Sequence, residues 1–205
     1  MYTGIVQGTE RIINIIAKNG YKTACVSNDH HFFDDVFIGA SVSLNGTCLT
    51  LTGFEKNIAT FDISDATSEV TTLKNLKIGY LVNIERSHIT GKENGGHSLY
   101  GHVAGVARVI NFSEKGETIH IEIEISSEDI KYFSPKGFIG LHGCSLTVNG
   151  VNPNNNTIEL DIIPETIRLT NFDKIKVGTL LNYEIDQMTR TIVDTISNTI
   201  KSINL

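Results

Sequence analysis

No apolar run in this 205-residue chain approaches the roughly 18 residues of a membrane-crossing helix. Positive charge is scarce and scattered. The 17 Lys and Arg are outnumbered by 23 Asp and Glu, the net charge is −6, and no basic cluster stands out. A nucleic-acid-binding surface is therefore disfavoured. Cysteine is limited to Cys25, Cys48 and Cys144, an odd number with no Cys-x-x-Cys spacing. That argues against disulfides or a zinc site, and for reduced thiols in the cytoplasm. Seven histidines are present, but none stands in a metal-ligand pattern. His30 and His31 are neighbours that would face opposite ways on a strand, so a surface role is expected for them. The start, Met1-Tyr-Thr-Gly-Ile-Val-Gln-Gly, lacks the basic and apolar regions of a secretory signal. What the chain has is enough apolar residue, 40%, to build real cores.

It also has a duplicated motif. Leu44-Asn-Gly-Thr-Cys-Leu-Thr-Leu51 is echoed by Leu141-His-Gly-Cys-Ser-Leu-Thr-Val148, an offset of 97 residues. Gly4-Ile-Val-Gln-Gly8 and Gly101-His-Val-Ala-Gly105 keep that offset. Phe61-Asp-Ile and Leu160-Asp-Ile, then Leu76-Lys-Ile-Gly79 and Ile175-Lys-Val-Gly178, follow at 99. The order of landmarks is the same in both halves. The period is too long for a solenoid or propeller repeat of roughly 20–50 residues and suits a small domain. Two tandem domains are expected, 1–95 and 96–186, followed by a tail over 187–205.

Within each repeat the pattern is all-β. Thr118-Ile-His-Ile-Glu-Ile-Glu-Ile125 alternates cleanly, with isoleucines on one face and His120, Glu122 and Glu124 on the other. Ser41–Leu44, Thr60–Ile63 and Leu81–Glu85 alternate more briefly, and Asn45-Gly46 and His142-Gly143 read as turns. Short strands at this spacing predict a small Greek-key barrel in each half. Thr67–Leu73 and Thr166–Phe172 are expected to be short helical segments capped by their threonines. In the tail, Met188, Ile192, Val193, Ile196, Ile200 and Ile203 recur at the spacings of an amphipathic helix. Its stripe either docks on its own barrel or joins copies of the chain, and isoleucine at core positions leans towards three or more strands.

Several of these motifs together resemble the trimeric, two-barrel riboflavin synthase family. They are Met1-Tyr-Thr-Gly-Ile-Val-Gln-Gly, Gly39-Ala-Ser-Val-Ser-Leu-Asn-Gly-Thr-Cys-Leu-Thr-Leu, Gly95-Gly-His-Ser-Leu-Tyr-Gly-His-Val103, Lys136-Gly-Phe-Ile-Gly-Leu-His-Gly-Cys-Ser-Leu-Thr-Val and Ile163-Pro-Glu-Thr. The resemblance spans essentially the whole chain. It implies two six-stranded barrels and a homotrimer, with lumazine synthase as a candidate associate. It also implies a cofactor-free dismutation of two molecules of 6,7-dimethyl-8-ribityllumazine to riboflavin and 5-amino-6-(D-ribitylamino)uracil. Each site would lie between the first barrel of one subunit and the second barrel of another. The non-catalytic lumazine proteins, optical antennae that share the fold, supply the alternative: binding of lumazine or flavin without turnover. An unrelated two-barrel interaction protein is a third reading.

Carried over by the resemblance, Cys48 is a nucleophile or the stabiliser of an adduct, suited by the nucleophilicity of thiols. Ser145 and Thr147 form the second-barrel hydroxyl pair. His97 and His102 are candidate proton shuttles, with His102 preferred. Asp186 either orients a base or caps the tail helix. Polar pocket positions are Ser41, Thr50 and Thr67 in the first barrel and Thr166 in the second. Backbone contacts to substrate are expected from Gly4, Ile5 and Val6, from Cys48 and Leu49, and from Asp62, Ser64 and Ala66. They are also expected from Gly101 to Val103, Ser145 and Leu146, and Asp161, Ile162, Ile163 and Glu165. Lys136 would enter a pocket from a partner chain.

Five positions depart from the resembled pattern. Tyr2 replaces phenylalanine and adds a hydroxyl. Ala66 removes a carboxylate that the second repeat keeps as Glu165. Tyr100 replaces a small residue beside His102, and Cys144 replaces an apolar one. His142 replaces an acid, which is expected to reverse local charge and alter proton transfer.

Overall fold

In the computed structural model, which describes residues 1–203, each half of the chain closes a six-stranded antiparallel barrel. The first contains β1 (Gly8–Ala17), β2 (Tyr21–Ser27), β3 (Ser41–Leu44), β4 (Thr47–Glu55), β5 (Ile58–Ser64) and β6 (Leu81–Arg86). The second contains β7 (Gly105–Lys115), β8 (Thr118–Glu124), β9 (Phe138–Leu141), β10 (Cys144–Asn152), β11 (Thr157–Ile162) and β12 (Leu180–Ile185). Around the first barrel the order is β1-β2-β5-β4-β3-β6, and around the second it is the same with each strand six further on. Even the irregularities repeat. Bulges fall between Ile12 and Asn14 and between Leu51 and Gly53, and again at Val109/Asn111 and Val148/Gly150, 97 residues later. Bulges bend strands, and closing so small a barrel needs the bends in fixed places.

Alternation directs the side chains. Ile119, Ile121, Ile123 and Ile125 all point into the second barrel, where Val109, Leu141, Val148, Leu160 and Tyr183 meet them. Ile12, Val26, Leu44, Leu51, Phe61 and Ile84 fill the first.

The expected helical segments start earlier than their threonines. Helix α1 spans Asp65–Val70, and its N-cap is Ser64, whose hydroxyl accepts from Thr67 N–H. Helix α2 spans Pro164–Leu169, with Ile163 at the cap and Pro164 in the first turn. Proline fits there because the first-turn N–H has no partner in any case. The threonines that do cap are Thr71 and Thr170, each starting a 3₁₀ turn.

The barrels meet through their hairpin turns. Asn45-Gly46 and His142-Gly143 both have two positive-φ residues, the type I′ geometry that suits a two-residue hairpin. The turns touch so closely that a Cβ on Gly46 would lie 2.7 Å from the Gly143 nitrogen. Two asparagines lock the contact reciprocally. Asn83 donates to the His142 carbonyl at 3.0 Å and accepts from Asn171 N–H at 2.8 Å. Asn182 donates to the Asn45 carbonyl at 2.8 Å and accepts from Thr72 N–H at 2.7 Å.

His142 belongs to this lock. Its Nδ1 accepts from Asn182 N–H at 3.0 Å, the place that Asn45 Oδ1 fills for Asn83 N–H at 2.8 Å in the first repeat. Burial pushes the imidazole down to about 3. The expected reversal of local charge therefore does not occur: His142 is neutral near physiological pH and serves as an acceptor.

The tail forms α3 (Gln187–Ile203); the last two residues of the expected 187–205 tail lie outside the described residues. No helix among the described residues is long and apolar enough to cross a membrane.

Candidate active site

Two short segments exchange between the barrels. Residues 2–6, which precede the first barrel, run to the second: Ser145 N–H on β10 donates to the Gly4 carbonyl at 2.8 Å. Residues 97–103 run back to the first: Cys48 N–H on β4 donates to the Gly101 carbonyl at 3.0 Å. The segments pair with each other at Tyr2 and Leu99, with N···O distances of 2.7 and 3.0 Å. Gly4 and Gly101 both have φ of +72°, and a Cβ on either would lie 2.5 Å from the Cβ of Ser145 or Cys48. Only glycine lets the backbone approach so closely in that conformation.

Each segment is held by a buried carboxylate. Glu85 on β6 accepts from Thr3 N–H at 2.6 Å, Thr3 Oγ1–H at 2.8 Å and Gly4 N–H at 3.1 Å. Glu184 on β12 accepts from Tyr100 N–H at 2.7 Å and Gly101 N–H at 2.9 Å. Burial pushes Glu85 up to about 7 in spite of these bonds, and raises Glu184 for the same reason. The reading of the sequence missed both residues as site residues. The signal was present: an acid 99 residues apart in matching strands that bury residues on both faces.

In the first barrel Gly101 packs against Cys48, and Val103, two residues on, is half-buried. Ser41 and Thr50 sit opposite each other across β3 and β4. The Cys48 thiol is half-buried and receives a hydrogen bond from the Tyr2 hydroxyl at 3.1 Å. Asp62 accepts from Thr23, and Ser64 bonds Thr67 at the mouth of α1, where Ala66 is exposed. His102 is exposed, its ring 6.2 Å from that of Tyr100. Leu49 points into the barrel core, and its main chain pairs with Val42 in the β3–β4 hairpin.

The second pocket is a cavity of about 190 Å³ lined by Gly4, Ile5, Val6, Cys144, Ser145, Ile163, Glu165 and Thr166, with Leu169 and Thr170. Ser145 Oγ lies 2.6 Å from His97 Nδ1 and accepts from His97 N–H at 3.1 Å. The direction of the Ser145–His97 side-chain bond depends on the imidazole tautomer: with the ring proton on Nε2, which is buried without a partner, Nδ1 accepts from the hydroxyl. Burial lowers His97, against the opposing charge of Asp186, and its ring stacks on Phe138 at 4.9 Å. A neutral imidazole so placed can take the serine proton. Asp186 caps α3, with Oδ1 accepting from Thr189 N–H at 2.8 Å and Oγ1–H at 2.7 Å. Glu165 is held by two bonds from Arg168, at 2.8 and 2.7 Å, which keep its carboxyl below the usual range. Leu146 and Ile162 are core residues, and Thr147 is exposed. Asp161 pairs with His120 at 2.7 Å. Lys136 is exposed in the loop before β9, with φ of +67°. Cys144 is buried, and burial pushes its thiol far up. Among the described residues no cluster of three or more His, Cys, Asp or Glu could hold a metal ion.

The lumazine binding domain family matches this chain twice, over residues 3–87 and 100–186. Riboflavin synthase of Escherichia coli (strain K12) is 41% identical over 96% of this chain and 92% of its own. The chain belongs to the riboflavin synthase family of lumazine-binding proteins. Riboflavin synthase of Bacillus subtilis (strain 168) is 34% identical over 92% of this chain and 86% of its own. Among solved structures, LumP complexed with riboflavin superposes with a TM-score of 0.84 at 26% identity. The match covers 91% of this chain and all of that one. Within this family's two-barrel frame, the surroundings of Cys48 and Ser145 are alike in backbone and unlike in their reactive side chains: a thiol in one, a hydroxyl with an imidazole in the other.

Proposed function

We propose that this chain is a riboflavin synthase, converting two molecules of 6,7-dimethyl-8-ribityllumazine into riboflavin and 5-amino-6-(D-ribitylamino)uracil. The observation that carries the reading is the pair of like-built surroundings of Cys48 and Ser145, each approached by a glycine of a crossing segment. One lumazine must lose a methyl proton while its twin accepts a nucleophile, so identical substrates need related pockets with different side chains. Cys48 is the candidate nucleophile or adduct stabiliser in the first. Ser145 with His97 is the candidate proton-transfer pair in the second, and the exposed His102 is placed to face a substrate from outside. The four-carbon unit passes between substrates, so the reaction calls for no external cofactor. Curated relatives do not favour the alternative of a non-catalytic lumazine or flavin binder.

The domain boundaries 1–95, 96–186 and 187–205 belong to the same proposal, as does a homotrimer in which a second chain completes each site. Two facts support the trimer. The second cavity, at about 190 Å³, falls below the roughly 300 Å³ expected of a complete ligand site. The isoleucine stripe of α3 is also exposed. In that assembly Lys136 would reach a neighbour's pocket. Three free cysteines fit a cytoplasmic location, where lumazine synthase would supply the substrate. The test is direct: purified protein is mixed with 6,7-dimethyl-8-ribityllumazine and riboflavin absorbance is followed. Growth well above the uncatalysed rate is expected. Tight binding with no growth would sink the enzyme reading.

A further inference from the structure

Tyr2 is 1% exposed, yet it carries a hydroxyl. A buried hydroxyl needs a partner, and this one finds it in Cys48 Sγ at 3.1 Å. The direction of the bond is fixed by chemistry. Burial and the neighbouring Cys48, Glu85 and Glu184 raise the phenol well above its ordinary range, so Tyr2 keeps its proton and donates.

The backbone leaves this hydroxyl little freedom. Tyr2 is paired on both main-chain sides with Leu99, and the next two residues are gripped by Glu85. Cys48 is equally fixed, by its N–H on the Gly101 carbonyl and by Gly101 packed against its Cβ. The second repeat has nothing like it. Leu99, 97 residues on, occupies the place of Tyr2 and has no hydroxyl to offer, and Ser145 takes His97 as its partner instead.

We propose that Tyr2 is a positioning residue for Cys48: its buried hydroxyl fixes the thiol in one orientation and stabilises the thiolate over the thiol. The catalytic use of that thiolate rests on the function proposed above; the effect on the thiol itself does not.

The test is alkylation of the ligand-free full-length protein with iodoacetamide across neutral to alkaline pH, read peptide by peptide by mass spectrometry. The variant is Tyr2→Phe, which removes one oxygen and keeps the ring. Glu85 and Glu184 face Tyr2 and titrate in both proteins, so the comparison cancels them. Loss of the donor should move the Cys48 midpoint up by about one pH unit, a tenfold loss of thiolate at neutral pH. A thiolate of higher pKa is also the better nucleophile, by about threefold for that change. The two profiles should therefore cross: Tyr2→Phe is about threefold slower near neutrality and about threefold faster on the alkaline plateau. A merely structural role would not make them cross. Superimposable Cys48 profiles would overturn the proposal.

Buried Cys25 and Cys144 report on the fold in the same experiment. Should both become reactive in Tyr2→Phe, fluorotyrosine at position 2 replaces it. This stronger donor of nearly the same shape should lower the Cys48 midpoint, and an unmoved midpoint overturns the proposal. Because no substrate is present, failure here leaves the turnover test untouched, and failure of turnover leaves this one intact.

Discussion

A carboxylate as buried as Glu85 carries a pH dependence with it. Its pKa is raised from 4.5 to about 7, so the folded protein holds a proton that the unfolded chain has already released over that window. Its contribution to stability is full below about pH 4.5 and declines as pH rises to about 7. The span corresponds to on the order of 3 kcal/mol. His142 pulls the other way. Burial lowers its imidazole to about 3, so it favours folding more as pH rises through the same range. The wild-type slope is a sum, and the useful quantity is a difference. Replacing Glu85 with Gln places an amide against Gly4 N–H at a cost that does not vary with pH, and removes the titration. Urea unfolding at fixed pH values should show Glu85→Gln gaining on wild type by on the order of 3 kcal/mol between acid and neutral pH. A difference that stays flat would mean that Glu85 is ionised throughout, with its hydrogen bonds outweighing burial. Individual residues were legible where the repeat marked them. Cys48, Ser145 and His97 stand in quoted motifs, and two of them touch. Glu85 and Glu184 are also matched by the repeat, but what they hold was not legible, nor was the Tyr2 hydroxyl bond. Their roles depend on segments that cross between barrels, which no local pattern encodes.

At the scale of elements, the crossing segments are the parts that a sequence reading could not draw. Alternation marked β3, β5, β6 and β8, and Asn-Gly and His-Gly marked the two hairpin turns. The helix starts were missed because Ser64 and Pro164 signal an N-terminus three and two residues before the threonines taken as caps. What holds the crossing segments is close contact at glycine, and that can be measured. Gly20 and Gly101 both have positive φ, +83° and +72°, but Gly20 faces open space whereas a Cβ on Gly101 would strike Cys48. Gly20→Ala should cost only the conformational strain, about 1 kcal/mol. Gly101→Ala adds the overlap with β4 and should cost roughly 2–4 kcal/mol, within the range of overpacked sites. Thermal melts of the two variants give the comparison, and turnover should fall only in Gly101→Ala. Equal melting losses would mean that the 97–103 segment yields easily, and that its approach to Cys48 is not what shapes the pocket.

At the scale of the molecule, α3 separates two ways of using an amphipathic helix. It touches its own barrel through a polar bond, Tyr132 Oη–H to Asp194 at 2.6 Å, with Val193 and Ser197 half-buried on the same side. The rest of the stripe faces away: Met188, Ile192, Ile196, Ile200 and Ile203 are 52–76% exposed. A row of five large apolar side chains on a well-capped helix is costly to leave in water, at roughly 1.5–3 kcal/mol for each one that could be buried. Packing against the same stripe on other copies removes that cost. A closed ring of three would also bring the first barrel of one chain to the second of the next, completing the small cavity beside Ser145. The double substitution Ile192→Glu with Ile196→Glu sets like charges at i and i+4 along the seam while leaving the Asp186 cap and the Tyr132 bond in place. Light scattering should then report a monomer in place of the proposed trimer. The β-sheet signal in circular dichroism should persist, since neither barrel contains these residues. Turnover should fall by orders of magnitude, because the proposed trimer supplies half of each site from a neighbour. A monomer that keeps full turnover would place the whole reaction within one chain, and an intact trimer would show that copies meet through the barrels and not through the helix.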